Sequence, residues 1–201
     1  MNQTIEKLGV SYEKANELLD KYIQDQIVKF HCIESEAIMR NLATRLGEDE
    51  EIWGIVGLLH DIDWDLTKND LGQHCVKAIE ILKNEGATDF LIETVVSHGY
   101  GWEGATSPEL IGKKRTTKIQ HALVSAETLT GLIVASALVQ PDKKLANVSL
   151  HSLQKKFKDK GFAARCNREL IKECEELEIT LDEFLEIGLK SLQGISDKLG
   201  L

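Results

Sequence analysis

The sequence predicts an all-α fold, a helical bundle followed by a helical C-terminal extension. Three observations carry this. Only two prolines occur in 201 residues, so long stretches can stay helical. Few segments alternate apolar with polar residues at the period of two that marks a half-buried strand. Several segments instead repeat apolar side chains at three- and four-residue spacing. The length suits one domain, or one domain with an appendage, and is enough to bury a core. The expected division is a bundle over residues 1–140, with its core at 27–136, and an extension over 141–201 packed on it.

Each element has its own warrant. Ser11 to Gln24 places Ala15, Leu18, Leu19, Tyr22 and Ile23 on one side of a first helix. A second runs from about Ile27 to Leu46 and stops at Gly47, a usual C-terminal cap; on it His31, Ser35, Ile38 and Leu42 form one inward stripe. The acids Glu48 to Glu51 suit the N-terminus of a third helix. That third segment, Ile52 to Asp65 (IWGIVGLLHDIDWD), organises the rest. It is apolar on every face, as a buried helix is, and it runs straight into His60-Asp61, Asp63 and Asp65. Gly54 and Gly57 on adjacent turns allow another helix to approach closely.

Leu71 to Asn84 reads as one helix with Leu71, His74, Ala78 and Ile81 on a face. Thr88 caps the next, which carries Leu91, Val95 and His98 and ends at Gly99. The segment from Gly99 to Arg115 (GYGWEGATSPELIGKKR) is irregular and is expected to form a lid or substrate loop. Thr116 to Val139 is a long helix whose only Asp, Glu, Lys or Arg between Ile119 and Gln140 is Glu127. Its mid-span Glu, its Ser and Thr residues and nearby His121 fit a central soluble helix better than a membrane span. Beyond Pro141-Asp142 the chain is amphipathic helices, with Asn167 a cap for Arg168 to Leu177 and Thr180 with Glu183 a capping-box pattern.

The net charge of −9 argues against a general nucleic-acid binder or a membrane-surface binder. A small anionic substrate stays open, because local cations and a metal set the field inside a pocket. The polar N-terminus lacks an apolar signal segment, and Cys32, Cys75, Cys166 and Cys174 show no CxxC spacing. Together they predict reduced thiols in a cytoplasmic protein. Cys32 and Cys75 each follow a histidine of interest. Since helical neighbours point about 100° apart, these thiols read as coincidence plus burial.

Chemistry concentrates in His31, His60, Asp61, His74, His98 and Glu127, each on an inward face or an inward helix end. Buried charges without partners cost several kcal/mol, so roughly a domain's stability margin is at stake unless a cation joins them. Imidazole nitrogens with carboxylates and no thiolate form the ligand set of catalytic Fe, Mn, Co, Ni or Zn, one or two ions. At a helix end His60 and Asp61 can converge on one ion while the carboxylate bridges to a second. Asp63 and Asp65 divide between a solvated loop and support behind the ligands. His121 and His151 read as structural or exposed.

Taken in order, these residues resemble the HD superfamily of metal-dependent phosphohydrolases. HDIDWD resembles its HD-centred helix end, and QHCVKAIEIL and VVSHGYG resemble segments with its further histidines. AETLTGLIVA resembles its late helix, and the C-terminal third resembles a little-characterised bacterial branch of predicted HD hydrolases. The resemblance covers about His31 to Gly131. It implies a bundle around one or two divalent ions, with His31, His60, Asp61 and Glu127 at the first, Asp61 bridging, and His74 and His98 completing the second. Glu127 stands where Asp is usual, and Asp63-Trp64 where a common version has Gly-Lys, which weakens any match to cyclic-dinucleotide phosphodiesterases of that type.

The implied activity is metal-assisted hydrolysis of a small phosphate ester, nucleotides among the expected substrates, with Asp61 as the catalytic carboxylate. Lys68, Lys113, Lys114 and Arg115 are either phosphate contacts or a solvated charge run. Tyr100 and Trp102 either stack a base or anchor the loop. Two alternatives share the ligands: a di-iron oxygenase of a small molecule, and a non-catalytic metal-binding helical module. The expected partner is a small phosphorylated molecule, with neither nucleic acid nor membrane, and a homo-oligomer remains open through the amphipathic extension.

Overall fold

The computed structural model describes residues 3–102 and 107–201, and every regular element among them is helical. Capping chemistry sets most of the helix ends. After α1 (Gln3–Leu8), the Ser11 hydroxyl accepts the Lys14 amide and opens α2 (Tyr12–Tyr22). Asp25 caps α3 (Gln26–Leu46), which stops at Gly47 in the left-handed region, φ 72°. Asp49 accepts the amides of Glu51 and Ile52 at the start of α4 (Glu50–Leu59). Asp61 to Asp63 turn the chain into the short α5 (Trp64–Thr67).

The helix expected over Leu71–Asn84 is broken. Leu71–Gln73 form a single 3-10 turn, His74 is extended, and α6 starts only at Val76 and runs to Asn84. Between them Cys75 adopts φ 67°, a conformation that non-glycine residues rarely take. The cause is Asp63, whose side chain is fully buried. Its Oδ2 accepts the Ala78 amide at 3.0 Å and its Oδ1 takes His74 Nδ1 at 2.9 Å. A carboxylate distant in sequence therefore caps α6, and the chain bends to meet it.

Thr88 caps α7 (Asp89–Val96), and the chain continues as a 3-10 turn over Ser97–Gly99 that carries His98. The Gln120 side chain accepts the Thr116 and Thr117 amides at the start of α8 (Lys118–Leu138). Beyond it lie α9 (Leu150–Lys158), α10 (Arg168–Lys172) capped by Asn167, α11 (Leu181–Gln193) capped by Thr180, and α12 (Ser196–Leu199).

Two packing features place the site. At Gly57 a Cβ would lie 2.8 Å from the Ser35 carbonyl oxygen, so α3 and α4 meet backbone to backbone and present His31 and His60 to each other. Gly54 instead makes room for the Arg40 side chain. The second feature is α8. It is long and apolar enough by composition to cross a membrane, yet 61% of its apolar window is buried among α3, α7, α9, α10 and α11. It holds Glu127 toward the α3 and α4 histidines. Residues 145–199 contribute Leu153, Ile171, Phe184 and Leu192 to the same core, so the C-terminal helices pack on the bundle.

Candidate metal centre

Four histidines from four elements converge on one carboxylate. His31 comes from α3, His60 from the end of α4, His74 from the break before α6 and His98 from the turn after α7. His31 Nε2 and His60 Nε2 are 3.0 Å apart, and His74 Nε2 and His98 Nε2 are 3.1 Å apart. Asp61 lies between the pairs. Its Oδ2 is 3.7 Å from His31 and 3.5 Å from His60, while its Oδ1 is 3.4 Å from both His74 and His98. Glu127 Oε2 faces the first pair, 4.0 Å from His31 Nε2.

The other ring nitrogens fix the tautomers. His60 Nδ1 donates to the Gly57 carbonyl at 2.8 Å, His98 Nδ1 to the Val95 carbonyl at 2.7 Å, and His74 Nδ1 to Asp63 at 2.9 Å. These partners only accept. His31 Nδ1 meets the Thr130 hydroxyl at 2.9 Å, and that hydroxyl spends its proton on the Glu127 carbonyl at 2.7 Å. With every Nδ1 donating, the neutral rings aim lone pairs at each other across each 3 Å gap. Lone pairs that close repel, and a positive charge between them removes the conflict. A shared proton or a metal ion meets that demand.

The fields agree. Burial pushes the Asp61 carboxyl up, but His60, His98, His74 and His31 outweigh it and hold the group well below the usual carboxylate range. Burial likewise opposes charge on His74, yet Asp63, Cys75 and Asp61 raise it to about 10, and His98 also lies well above its ordinary value. His60 is driven the other way, to about 3, chiefly by burial, which keeps it neutral and able to ligate. Burial raises Glu127.

The donor set fits metal ions. Metal–nitrogen bonds of about 2.1 Å separate neighbouring ligand atoms by about 3.0–3.4 Å, the spacing of the two histidine pairs and of Asp61 Oδ1. His31, His60 and Glu127 form one group able to hold an ion, and His74 and His98 form a second together with Cys75. Cys75, expected to follow His74 by coincidence plus burial, lies with this second group. Its neighbour His74 is not helical, so the 100° argument fails, and the thiol lies 3.6 Å from His98 Nε2. Burial pushes the Cys75 thiol up, but His98 and His74 outweigh it and bring it to about 7.

A model of the HD domain matches residues 28–145. The chain belongs to the HD-domain family. Most HD domains are metal-dependent phosphohydrolases, and they bind divalent metals. The match takes in His31, His60, Asp61, His74, His98 and Glu127. Neither the curated proteins nor the solved structures searched contain a match.

The HD centre opens on both sides. A cavity of about 700 Å³ is lined by His74, His98, Trp64, Tyr100, Trp102, Arg115, Asn167 and Leu170. A smaller one, about 320 Å³, is lined by His31, Glu127, Thr130, Arg165, Asn167 and Leu170. Asn167 and Leu170 border both, so the C-terminal helices roof the centre. Nothing in the local sequence around Arg165 or Asn167 signals this, since the residues they cover lie up to 136 positions earlier.

The four candidate phosphate contacts are placed differently. Lys68 pairs with Asp65, and Asp65 also accepts the Gln24 and Asp25 amides, which ties α5 to the start of α3. Lys113 and Lys114 line a separate cavity that holds none of the four histidines. Arg115 borders the large cavity, but its guanidinium is occupied. It donates to the carbonyls of Ser97 and Tyr100 and makes a two-pronged contact with Glu173. His121 Nδ1 joins Glu173 at 2.7 Å, and His151 is exposed. Tyr100 is buried in the core, and Trp102 is half exposed at the cavity edge. Of the expected lid, residues 103–106 lie outside the described residues.

Asp63 carries a prediction. Asp63→Ala leaves His74 unoriented and the Ala78 amide without its acceptor. Metal titration is expected to show one ion held about 10–100-fold more weakly. Urea denaturation is expected to show a loss of about 1–3 kcal/mol. Unchanged affinity for both ions would contradict the role given to Asp63.

Proposed function

We propose that the protein is a metal-dependent phosphohydrolase acting on a small phosphate ester, with nucleotides among the candidates, in the cytoplasm. The observation that supports this best is the pair of facing histidine edges sharing Asp61, with an open cavity on either side. A purely structural metal site would be closed by its protein ligands. Here the cavities leave room for a substrate beside both groups.

Bound divalent ions would polarise the phosphoryl group and bring the pKa of a coordinated water toward neutrality. The chain's residues do the rest. His31, His60 and Glu127 would hold one ion, and His74 and His98 the other. Asp61, with one oxygen facing each histidine pair, would contribute to holding both. Arg165, on the cavity beside Glu127, is better placed than Lys113 or Lys114 to offset charge on the phosphoryl oxygens. Trp64, Leu71, Trp102 and Leu170 supply apolar surface for the organic part of the ester.

The test is phosphate release from a panel of phosphomonoesters, including nucleoside monophosphates, under argon with Mn²⁺, Co²⁺ or Fe²⁺. The expected result is metal-dependent release that does not need O2. Oxygen consumption by an iron-loaded protein that releases no phosphate from any ester would overturn the proposal in favour of an oxygenase.

A further inference from the structure

We infer that Cys75 is a thiolate ligand of the second ion, which would then sit in a set of two imidazoles, one carboxylate oxygen and one sulfur. The inference rests on the metal reading above and adds a ligand to it. Spacing is the first argument. Metal–sulfur and metal–nitrogen bonds of about 2.3 and 2.1 Å place sulfur and nitrogen about 3.6 Å apart at a tetrahedral angle, and nitrogen and oxygen about 3.4 Å apart. Cys75 Sγ lies 3.6 Å from His98 Nε2, and Asp61 Oδ1 lies 3.4 Å from the Nε2 atoms of both His74 and His98. Of these four edges, the 3.1 Å one between the two histidines alone is narrower than tetrahedral.

The backbone is the second argument. Cys75 holds φ 67°, a conformation that non-glycine residues rarely take, in the bend that the Asp63 contacts impose. That bend lets two successive side chains, His74 and Cys75, reach the same point. The third argument lies across the site. A Cβ on Gly99 would stand 2.7 Å from Cys75 Sγ, so the residue after His98 is the one that leaves room for the sulfur.

A buried thiol donating weakly to His98 would explain the 3.6 Å contact. It would not explain why His98, whose side chain is only 8% exposed, aims its Nε2 at both the sulfur and a second histidine lone pair. On binding, the Cys75 S–H bond breaks and the proton leaves to solvent, the sulfur keeps the electron pair that forms the metal bond, and no electron is transferred. A thiolate at one ion makes the two positions unlike. The first, with nitrogen and oxygen donors only, admits Mn²⁺ or Fe²⁺, whereas the second favours Zn²⁺, Co²⁺ or Fe²⁺ over Mg²⁺.

Cobalt substitution of the full chain tests this. The protein is loaded with Co²⁺, its cobalt content is measured, and its near-ultraviolet absorption is recorded. The expected result is two cobalt ions per chain and a sulfur-to-cobalt charge-transfer band. Cys75→Ser should lose the band and bind the second cobalt about tenfold or more weakly, while the first is unchanged. Cys166→Ser, which alters the thiol on the smaller cavity, should keep the band. Two bound cobalt ions without a band in the parent, or a band that survives Cys75→Ser, would overturn the assignment of Cys75 alone. Failure of the parent to bind cobalt at all would overturn the metal reading with it.

Discussion

Asp61→Asn is expected to lower phosphate release by about 10³-fold or more and to leave at most one ion per chain. Two carboxylates face the histidines, Asp61 with oxygens 3.4 to 3.7 Å from four imidazole nitrogens and Glu127 4.0 Å from His31 Nε2. Asparagine keeps the volume but removes the charge, and its amide hydrogens point at lone pairs on one side. Removing a single preorganised electrostatic partner of a transition state costs about 10²–10³ in rate, and here one residue serves both ions. Elemental analysis and a phosphate-release assay measure the two effects. Far-ultraviolet circular dichroism should be unchanged, since Asp61 caps no helix. Two ions retained with activity within about tenfold of the parent would remove Asp61 from the centre.

Arg115→Ala is expected to destabilise the fold by about 2–4 kcal/mol, since breaking a partly buried ion pair on one side strands its partner. For a chain of this size that lowers the melting temperature by on the order of 10 °C. The Arg115 side chain is 9% exposed and that of Glu173 is 21% exposed. The loss takes a donor from the Tyr100 carbonyl, leaves the Ser97 carbonyl with the Tyr100 amide alone, and leaves Glu173 with His121, around the turn carrying His98. Arg115→Lys should recover little, because one ammonium cannot reproduce a guanidinium fork.

The effect also depends on pH. Burial pushes Glu173 up, but Arg115 and His121 outweigh it and hold its carboxyl below the ordinary 4.5. A carboxyl lowered in the folded state stabilises fully above its unfolded pKa and loses that contribution as the pH falls through the folded value. The gap between parent and Arg115→Ala in urea denaturation should therefore be widest above about pH 5 and should narrow in acid. A variant with unchanged stability and a raised KM would mark Arg115 as a substrate contact instead.

Helix ends were the most legible part of this chain. Gly47, Thr88, Asn167 and Thr180 act through hydrogen bonds or backbone freedom within a few residues, so their neighbours suffice to read them. The convergence of His31, His60, Asp61, His74, His98 and Glu127 was also foreshadowed, because the sequence pattern puts each on an inward stripe or near the end of a buried helix. The break at His74-Cys75 was not. Leu71, His74, Ala78 and Ile81 keep helical spacing, but Asp63 takes the Ala78 amide and the His74 ring from another element, and that tertiary bond overrides the local period. With the helix went the reason for discounting Cys75. Within Lys113-Lys114-Arg115 the sequence offers three equal cations, and only the position of Glu173, 58 residues on from Arg115, decides which one turns inward. The roof over the centre, Asn167 and Leu170, likewise depends on packing between distant helices.

The central claim is that two ions share Asp61, and metal content tests it most directly. Elemental analysis of protein purified without added metal, beside a His98→Ala variant, should give two ions per chain in the parent and about one in the variant, because His98 faces only the second group. One ion in both would confine the centre to His31, His60, Asp61 and Glu127. None in either, with no uptake on titration, would contradict the account.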